Sequence, residues 1–87
     1  MEIHYDKNFK KHFNSRIKPY SALQKKFLSR LELFLKDNKD PSLKDHQLHG
    51  KKSELRSFSI TGDVRLVYKI IGNELWLCDI GSHNQVY

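Results

Sequence analysis

Residues 55–80 carry three apolar stretches separated by two turn signals, and that spacing constrains the fold more than any other feature of the chain. Leu55 to Ile60, Val64 to Ile70 and Glu74 to Ile80 are rich in the residues that fill half-buried strands. Thr61-Gly62-Asp63 breaks the first pair, and Gly72-Asn73 is a two-residue hairpin signal that sets the last two strands antiparallel. The half therefore reads as a meander. In its middle strand Val64, Leu66, Tyr68 and Ile70 share one face, and Arg65, Val67, Lys69 and Ile71 share the other. The aliphatic-rich first set is expected to meet helices, which leaves Arg65 on an open face where a guanidinium stays hydrated or meets a phosphate. Arg56 alternates with Leu55 and Ser57 and shares a face with Phe58 and Ile60; strand register decides which face that is.

Ahead of the meander the apolar period lengthens. Met1 to Tyr5 alternates and reads as a short strand, after which Asp6 caps a helix carrying Phe9, Phe13 and Ile17 at intervals of four. Lys18-Pro19 ends it. Ser21 is the expected cap of a second helix whose apolar stripe is Leu23, Phe27, Leu31 and Phe34 or Leu35, with Lys25, Lys26 and Arg30 on other faces. Asp37 to Pro41 breaks that helix, and His46 to Gly50 leads as a polar loop into the second half. The expectation is an α+β fold of order β-α-α-β-β-β, with an N-terminal helical hairpin packed on a small, mainly antiparallel sheet. At 87 residues and 38% hydrophobic content, residues 1–87 form one domain with one modest core.

Charge is uneven along the chain. Residues 1–30 hold eight basic side chains against Glu2 and Asp6, whereas residues 31–87 hold eight of each sign, so the formal net charge of +6 resides in the first third. Such a cluster, with Lys10, Lys11, Lys25 and Lys26 at its centre, suits a polyanion, because each phosphate neutralised releases condensed counterions; a solvated helix face is the plain alternative. The single cysteine, Cys78, lies in a strand as a core thiol, and without a disulfide framework a reducing compartment is expected. No apolar run approaches the roughly 18 residues of a membrane span, so neither membrane insertion nor secretion is expected, and the cytoplasm is the default location.

The chemistry-bearing residues lie in the second half. His83 and Tyr87 follow the last strand, where a rigid scaffold presents side chains, and imidazole is the group best suited to move protons near neutral pH. A phosphate-binding glycine loop, paired-cysteine zinc spacing and a His-Glu-x-x-His helix are all missing from the sequence. His46 and His49 are three apart, but Gly50 and the flanking turn residues break any helix that would let both clasp a metal.

Four segments in order make the spacing identifiable: Asp45-His46-Gln47-Leu48-His49-Gly50, Leu55-Arg56, Gly62-Asp63-Val64-Arg65-Leu66-Val67-Tyr68, and Asp79 to Tyr87. Together they resemble the RelE superfamily of bacterial toxins, and within it the YafQ branch, over essentially the whole chain. The resemblance implies the toxin of a type II toxin–antitoxin system: an endoribonuclease (mRNA interferase) that inhibits translation by cutting mRNA in the A site of the 70S ribosome. It also implies a cognate antitoxin, a possible hetero-oligomer with it, and no metal or other cofactor. By the same resemblance His83 is the general acid for the leaving 5′ oxygen, His46 takes part in catalysis, and Asp63 is an acidic residue ahead of the middle strand. Tyr87 stands where a terminal aromatic stacks on a base, and Arg65 fits an arginine, found in relatives outside the branch, that stabilises phosphate charge. Arg56 and His49 are further RNA-binding candidates. One departure is clear: the YafQ branch carries a second catalytic histidine where this chain has Ser59, which passes the general-base role to His46 or, less readily, His49. His4 and His12 match no functional position and are expected on the surface or a helix face.

The chemistry is coherent on its own terms. The RNA 2′-hydroxyl can attack the adjacent phosphorus if one group takes its proton, another protonates the leaving oxygen and a cation stabilises the added charge. Two other classes share parts of this pattern. A ParE-like gyrase inhibitor has the architecture without needing the imidazoles, and a non-catalytic RNA-binding module has the charge without needing cleavage.

Overall fold

The computed structural model describes residues 1–87, the side chain of Lys51 excepted. Its elements are β1 (Glu2–Tyr5), α1 (Lys7–Arg16), α2 (Ser21–Lys36), β2 (His46–Gln47), β3 (Arg56–Ser59), β4 (Val64–Ile71), β5 (Glu74–Ser82) and α3 (His83–Val86), with 3-10 turns at Pro41–Leu43 and Gly50–Lys52. They build a five-stranded sheet in the order β1-β5-β4-β3-β2. β1 runs parallel to β5, and all other pairs are antiparallel. The α+β expectation and the order of the main elements hold.

The helices cover one face of the sheet. Asp6 caps α1 by accepting from the Asn8 amide, and Phe9, Phe13 and Phe27 of the two helices meet ring to ring. Phe34, not Leu35, completes the α2 stripe: it is 2% exposed and stacks on Phe58 at 4.8 Å, whereas Leu35 faces solvent. Leu66, Tyr68, Leu75, Leu77 and Ile80 complete this core from the sheet. Each fully buried side chain of this size contributes about 1.5–3 kcal/mol, so the layer accounts for most of what holds helices to sheet.

Several expectations change. Ser21 does not cap α2; Tyr20 occupies the cap position without a side-chain bond, and Ser21 is the first helical residue. The segment from His46 to Gly50 is not simply a loop, since His46 and Gln47 pair with Ser57 and Arg56 as an edge strand. Two residues carry no readable period, so this strand exists only because β3 offers it a ladder. β5 continues two residues beyond Ile80, and the tail then turns into α3 with a full capping box: Ser82 Oγ accepts from the Gln85 amide while Gln85 Oε1 accepts from the Ser82 amide. The far face of the sheet is not wholly open either. Leu48, Val67 and Val86 are buried there as a small second core, with Leu55 and Cys78 against it.

Helix hairpin and tail meet through β5. A bulge shifts the β4–β5 register between Val67 and Tyr68, whose partners are Asp79 and Leu77, so that Cys78 lies unpaired and joins the second core. Half-burial pushes its thiol pKa up, which keeps it an inert thiol. Asp79 turns to α1, where its carboxylate lies 2.6 Å from His12 Nδ1 and 3.7 Å from Arg16 Nη1. His12, expected on the surface or a helix face, is on the face of α1 that meets the sheet and ties the two together. Arg16 Nη1 also donates to the Ile80 carbonyl at 3.0 Å. Gly81 makes this closeness possible: a Cβ there would lie 2.6 Å from both Arg16 Nη1 and Gln85 Oε1. Both atoms are already engaged, so neither moves without losing a hydrogen bond. Gly81→Ala is expected to cost about 1–3 kcal/mol by overpacking, read as a lower urea midpoint at unchanged slope; an unchanged midpoint would mean that Arg16 and Gln85 yield freely.

Candidate active site

The α3 turn is held from four directions. Val86 is 2% exposed in the second core, the His83 amide donates to the Asp63 carbonyl at 3.1 Å, Lys52 Nζ donates to the Val86 carbonyl at 2.8 Å, and Tyr87 Oη donates to Ser57 Oγ at 2.6 Å. His83 and Tyr87, four apart on the turn, meet edge to face with ring centroids 4.4 Å apart. Tyr87 in turn lies edge-on to His46 at 5.9 Å, with its hydroxyl 3.3 Å from His46 Nε2. Three rings from the two ends of the second half thus line one cleft of about 410 Å³, closed by Gln47, Leu48, His49 and Lys52.

The protonation pattern of His46 follows from its partners. Its Nδ1 lies 3.0 Å from the Lys44 carbonyl, which can only accept, so in the neutral ring Nδ1 carries the proton and Nε2 holds the lone pair. Lys44 has φ +52°, the left-handed backbone that ends the preceding 3-10 turn. The Nε2 lone pair faces the cleft beside the Tyr87 hydroxyl. His83, at the first position of α3, is exposed with its ring against Tyr87. One imidazole with a free ring nitrogen and one exposed imidazole, both packed against the same phenol ring, are groups suited to general acid–base chemistry.

The remaining candidates fall into three groups. Arg65 is on the far face, opposite Ser59 and Gly81 in the ladder, and its Nη1 donates to Ser59 Oγ and weakly to the Thr61 carbonyl at 3.4 Å. It thus neighbours the strand end that leads to His83. Asp63 joins the site through its backbone carbonyl, which anchors the start of α3, while its side chain is exposed in the turn. Arg56 is elsewhere. It shares the helix-side face with Phe58, and its Nε and Nη2 lie 2.7 and 2.6 Å from Asp45 Oδ1. Tyr68 Oη donates to the other Asp45 oxygen; burial first, then that carboxylate, push the phenol's pKa far up. Arg56 lines no part of the histidine cleft. Lys10, Lys11, Lys25 and Lys26 are exposed on α1 and α2, whereas Arg30 is spent on the Ser59 carbonyl and Ser42, and Arg16 on β5. Among the described residues His46 and His49 join no third His, Cys, Asp or Glu side chain close enough to share an ion.

Ser57, Lys52 and Gln47 were not singled out as site residues from the sequence. Ser57 had a signal: it and Ser59 alternate against Arg56, Phe58 and Ile60, so β3 turns small hydroxyls to the far face. Lys52 had none, because its bond is to a backbone carbonyl 34 residues away.

The chain matches a known family in sequence and known proteins in fold. The family model described as "Bacterial toxin of type II toxin-antitoxin system, YafQ" matches residues 1–87. A copper-bound mutant toxin from Helicobacter pylori superposes with a TM-score of 0.79 at 30% identity, covering 100% of this chain and 99% of that one. YafQ from E. coli strain BL21(DE3) superposes at 0.84 and 19% identity, over 99% of this chain and 97% of that one. The E. coli DinJ–YafQ complex gives 0.81 at 22% identity, over 99% and 97%. No curated protein matches in sequence. A match along the full length, together with a relative at 30% identity over the full length, shows that the chain belongs to the YafQ family of toxins of type II toxin–antitoxin systems.

Proposed function

We propose that this toxin is a ribosome-dependent endoribonuclease that cuts mRNA in the A site by attack of the 2′-hydroxyl on the adjacent phosphorus. The observation that carries the reading is the cleft in which His46 Nε2, the Tyr87 hydroxyl and the His83 ring converge. His46 accepts the 2′-hydroxyl proton at Nε2, the nitrogen that its bond to the Lys44 carbonyl leaves unprotonated. His83, protonated, delivers a proton to the leaving 5′ oxygen. Arg65 supplies positive charge for the phosphorane through the guanidinium N–H groups that Ser59 and Thr61 leave free. Tyr87 offers a ring for base stacking. The products are a 2′,3′-cyclic or 3′-phosphate and a 5′-hydroxyl.

A defined mRNA on purified translating ribosomes, read by primer extension, tests this scheme. Wild type gives discrete, ribosome-dependent stops. His83→Ala and His46→Ala each lower the cleavage rate by about 10²- to 10⁴-fold, the usual worth of one proton-transfer role, with unchanged circular dichroism. Wild-type rates in a folded His83→Ala variant would remove His83 from the mechanism. Toxicity with intact mRNA and accumulating relaxed plasmid would point instead to gyrase. Because no step draws on a metal, toxin stripped with EDTA, and freed of it before ribosomes are added, cuts as fast as untreated toxin; the copper in the H. pylori relative makes this a necessary control.

The exposed lysines have a separate role in the proposal, gripping ribosomal RNA while the cleft meets mRNA. Charge reversal at Lys10, Lys11, Lys25 and Lys26 is expected to lower ribosome affinity by orders of magnitude and to flatten its salt dependence; unchanged affinity would sink this assignment. An antitoxin partner is supported by the E. coli DinJ–YafQ complex, and an acidic or amphipathic segment laid over the basic helices or the cleft would neutralise the toxin.

A further inference from the structure

The end of the sheet farthest along β5 from the histidine cleft carries a second group of side chains that RNA cleavage does not use. In the parallel β1–β5 ladder Glu2 stands opposite Glu74 and His4 opposite Trp76. Residues two apart on a strand share a face, so these four side chains form a square on one side of the sheet. Like charges directly opposite on a ladder destabilise it. Among the described residues the only ionisable partner of either carboxylate is His4, whose Nε2 lies 3.5 Å from Glu74 Oε2 and 3.9 Å from Glu2 Oε1. Those distances are too long for hydrogen bonds, and His4 Nε2 is a buried atom without one. A buried ring nitrogen aimed between two carboxylates and bonded to neither lacks a partner that fits.

A divalent cation fits. Bonds of about 2.0–2.1 Å in tetrahedral zinc place donor atoms about 3.4 Å apart, and the three donor atoms here lie within 4.8 Å of one another. The surroundings already do what the outer shell of a metal site does. The His4 ring is stacked on Trp76 at 4.5 Å and 15°, which fixes its plane, and Trp76 Nε1 donates to Glu74 Oε1 at 3.1 Å, which leaves Oε2 for an ion. We propose that Glu2, His4 and Glu74 form a site for a borderline divalent cation of the Zn²⁺ class, with water completing the coordination, and that the ion clamps the N-terminal strand to β5. One imidazole with two carboxylates is a donor set for such ions rather than for soft Cu(I) or all-oxygen Ca²⁺.

The test is a ZnCl₂ titration of the whole chain by calorimetry, with the emission of Trp76, the sole tryptophan, as local reporter. The expected result is a one-to-one event that perturbs Trp76 and raises the melting temperature by roughly 5–10 °C at a tenfold excess over Kd. Glu2→Gln with Glu74→Gln should weaken it more than tenfold, while His46→Ala with His83→Ala should leave it unchanged. Glu2 is 72% exposed, so Glu2→Gln alone provides a variant whose folding is not at issue. Stoichiometric binding that survives the glutamate substitutions, binding lost only with the cleft histidines, or no binding at millimolar Zn²⁺ would each overturn the proposal.

Discussion

The burial of Val86 is the contact on which the candidate site depends. A four-residue helix has no stability of its own, because nucleation fixes several residues for a single hydrogen bond. Here the nucleus is prepaid from outside: the Ser82–Gln85 capping box closes its start, the Asp63 carbonyl takes the His83 amide, and Val86 drops into the second core with Leu48 and Val67. Leu48 directly follows β2, and Val67 is on the central strand. The same apolar contact therefore sets where His46 and His83 stand relative to each other. A cleft that brings His46 and His83 together from 37 residues apart in sequence needs such a shared anchor.

On the opposite side of the sheet the basic side chains divide by job. Arg16 and Arg30 reach backbone carbonyls of β5 and β3, and the fork geometry of guanidinium suits it to these structural ties. The lysines of α1 and α2 stay in solvent as flexible point charges. Arginine directed inward and lysine outward leaves the scaffold rigid beneath the cleft and its surface charges adaptable, as the proposed grip on ribosomal RNA would use. It also means that the raw +6 overstates the rigidly presented charge.

The meander, the helical hairpin and their faces were legible because each rests on periodicity over many residues; Leu66 and Tyr68 met the helices and Arg65 the far face as the alternation required. Features that depend on long-range partners were not. β2 is two residues long and is specified by β3, the Ser21 cap gave way to Tyr20, and the α3 turn had no signal because Val86 alone reveals nothing of the pocket awaiting it. Arg56 read as an RNA-binding candidate because Asp45, eleven residues earlier, is not an obvious partner in sequence. His4 and His12 read as incidental for the same reason, since Trp76 and Asp79 meet them only across the β5 ladder and the helix–sheet junction.

The serine at position 59 gains a meaning from this arrangement. A histidine there would put a third imidazole at the end of β3, beside Arg65; serine instead gives the guanidinium a hydroxyl to lean on, and the residue is 7% exposed. In the cleft the imidazole whose orientation is fixed by a hydrogen bond is His46, and that orientation comes from a backbone carbonyl rather than a carboxylate. A carbonyl fixes the ring without adding the negative charge that would repel a phosphate. Under the proposed chemistry the trade is consistent: Arg65 holds the charge, His46 takes the proton, and Tyr87, its hydroxyl donating to Ser57 and its ring against both His46 and His83, keeps the two halves of the cleft in register.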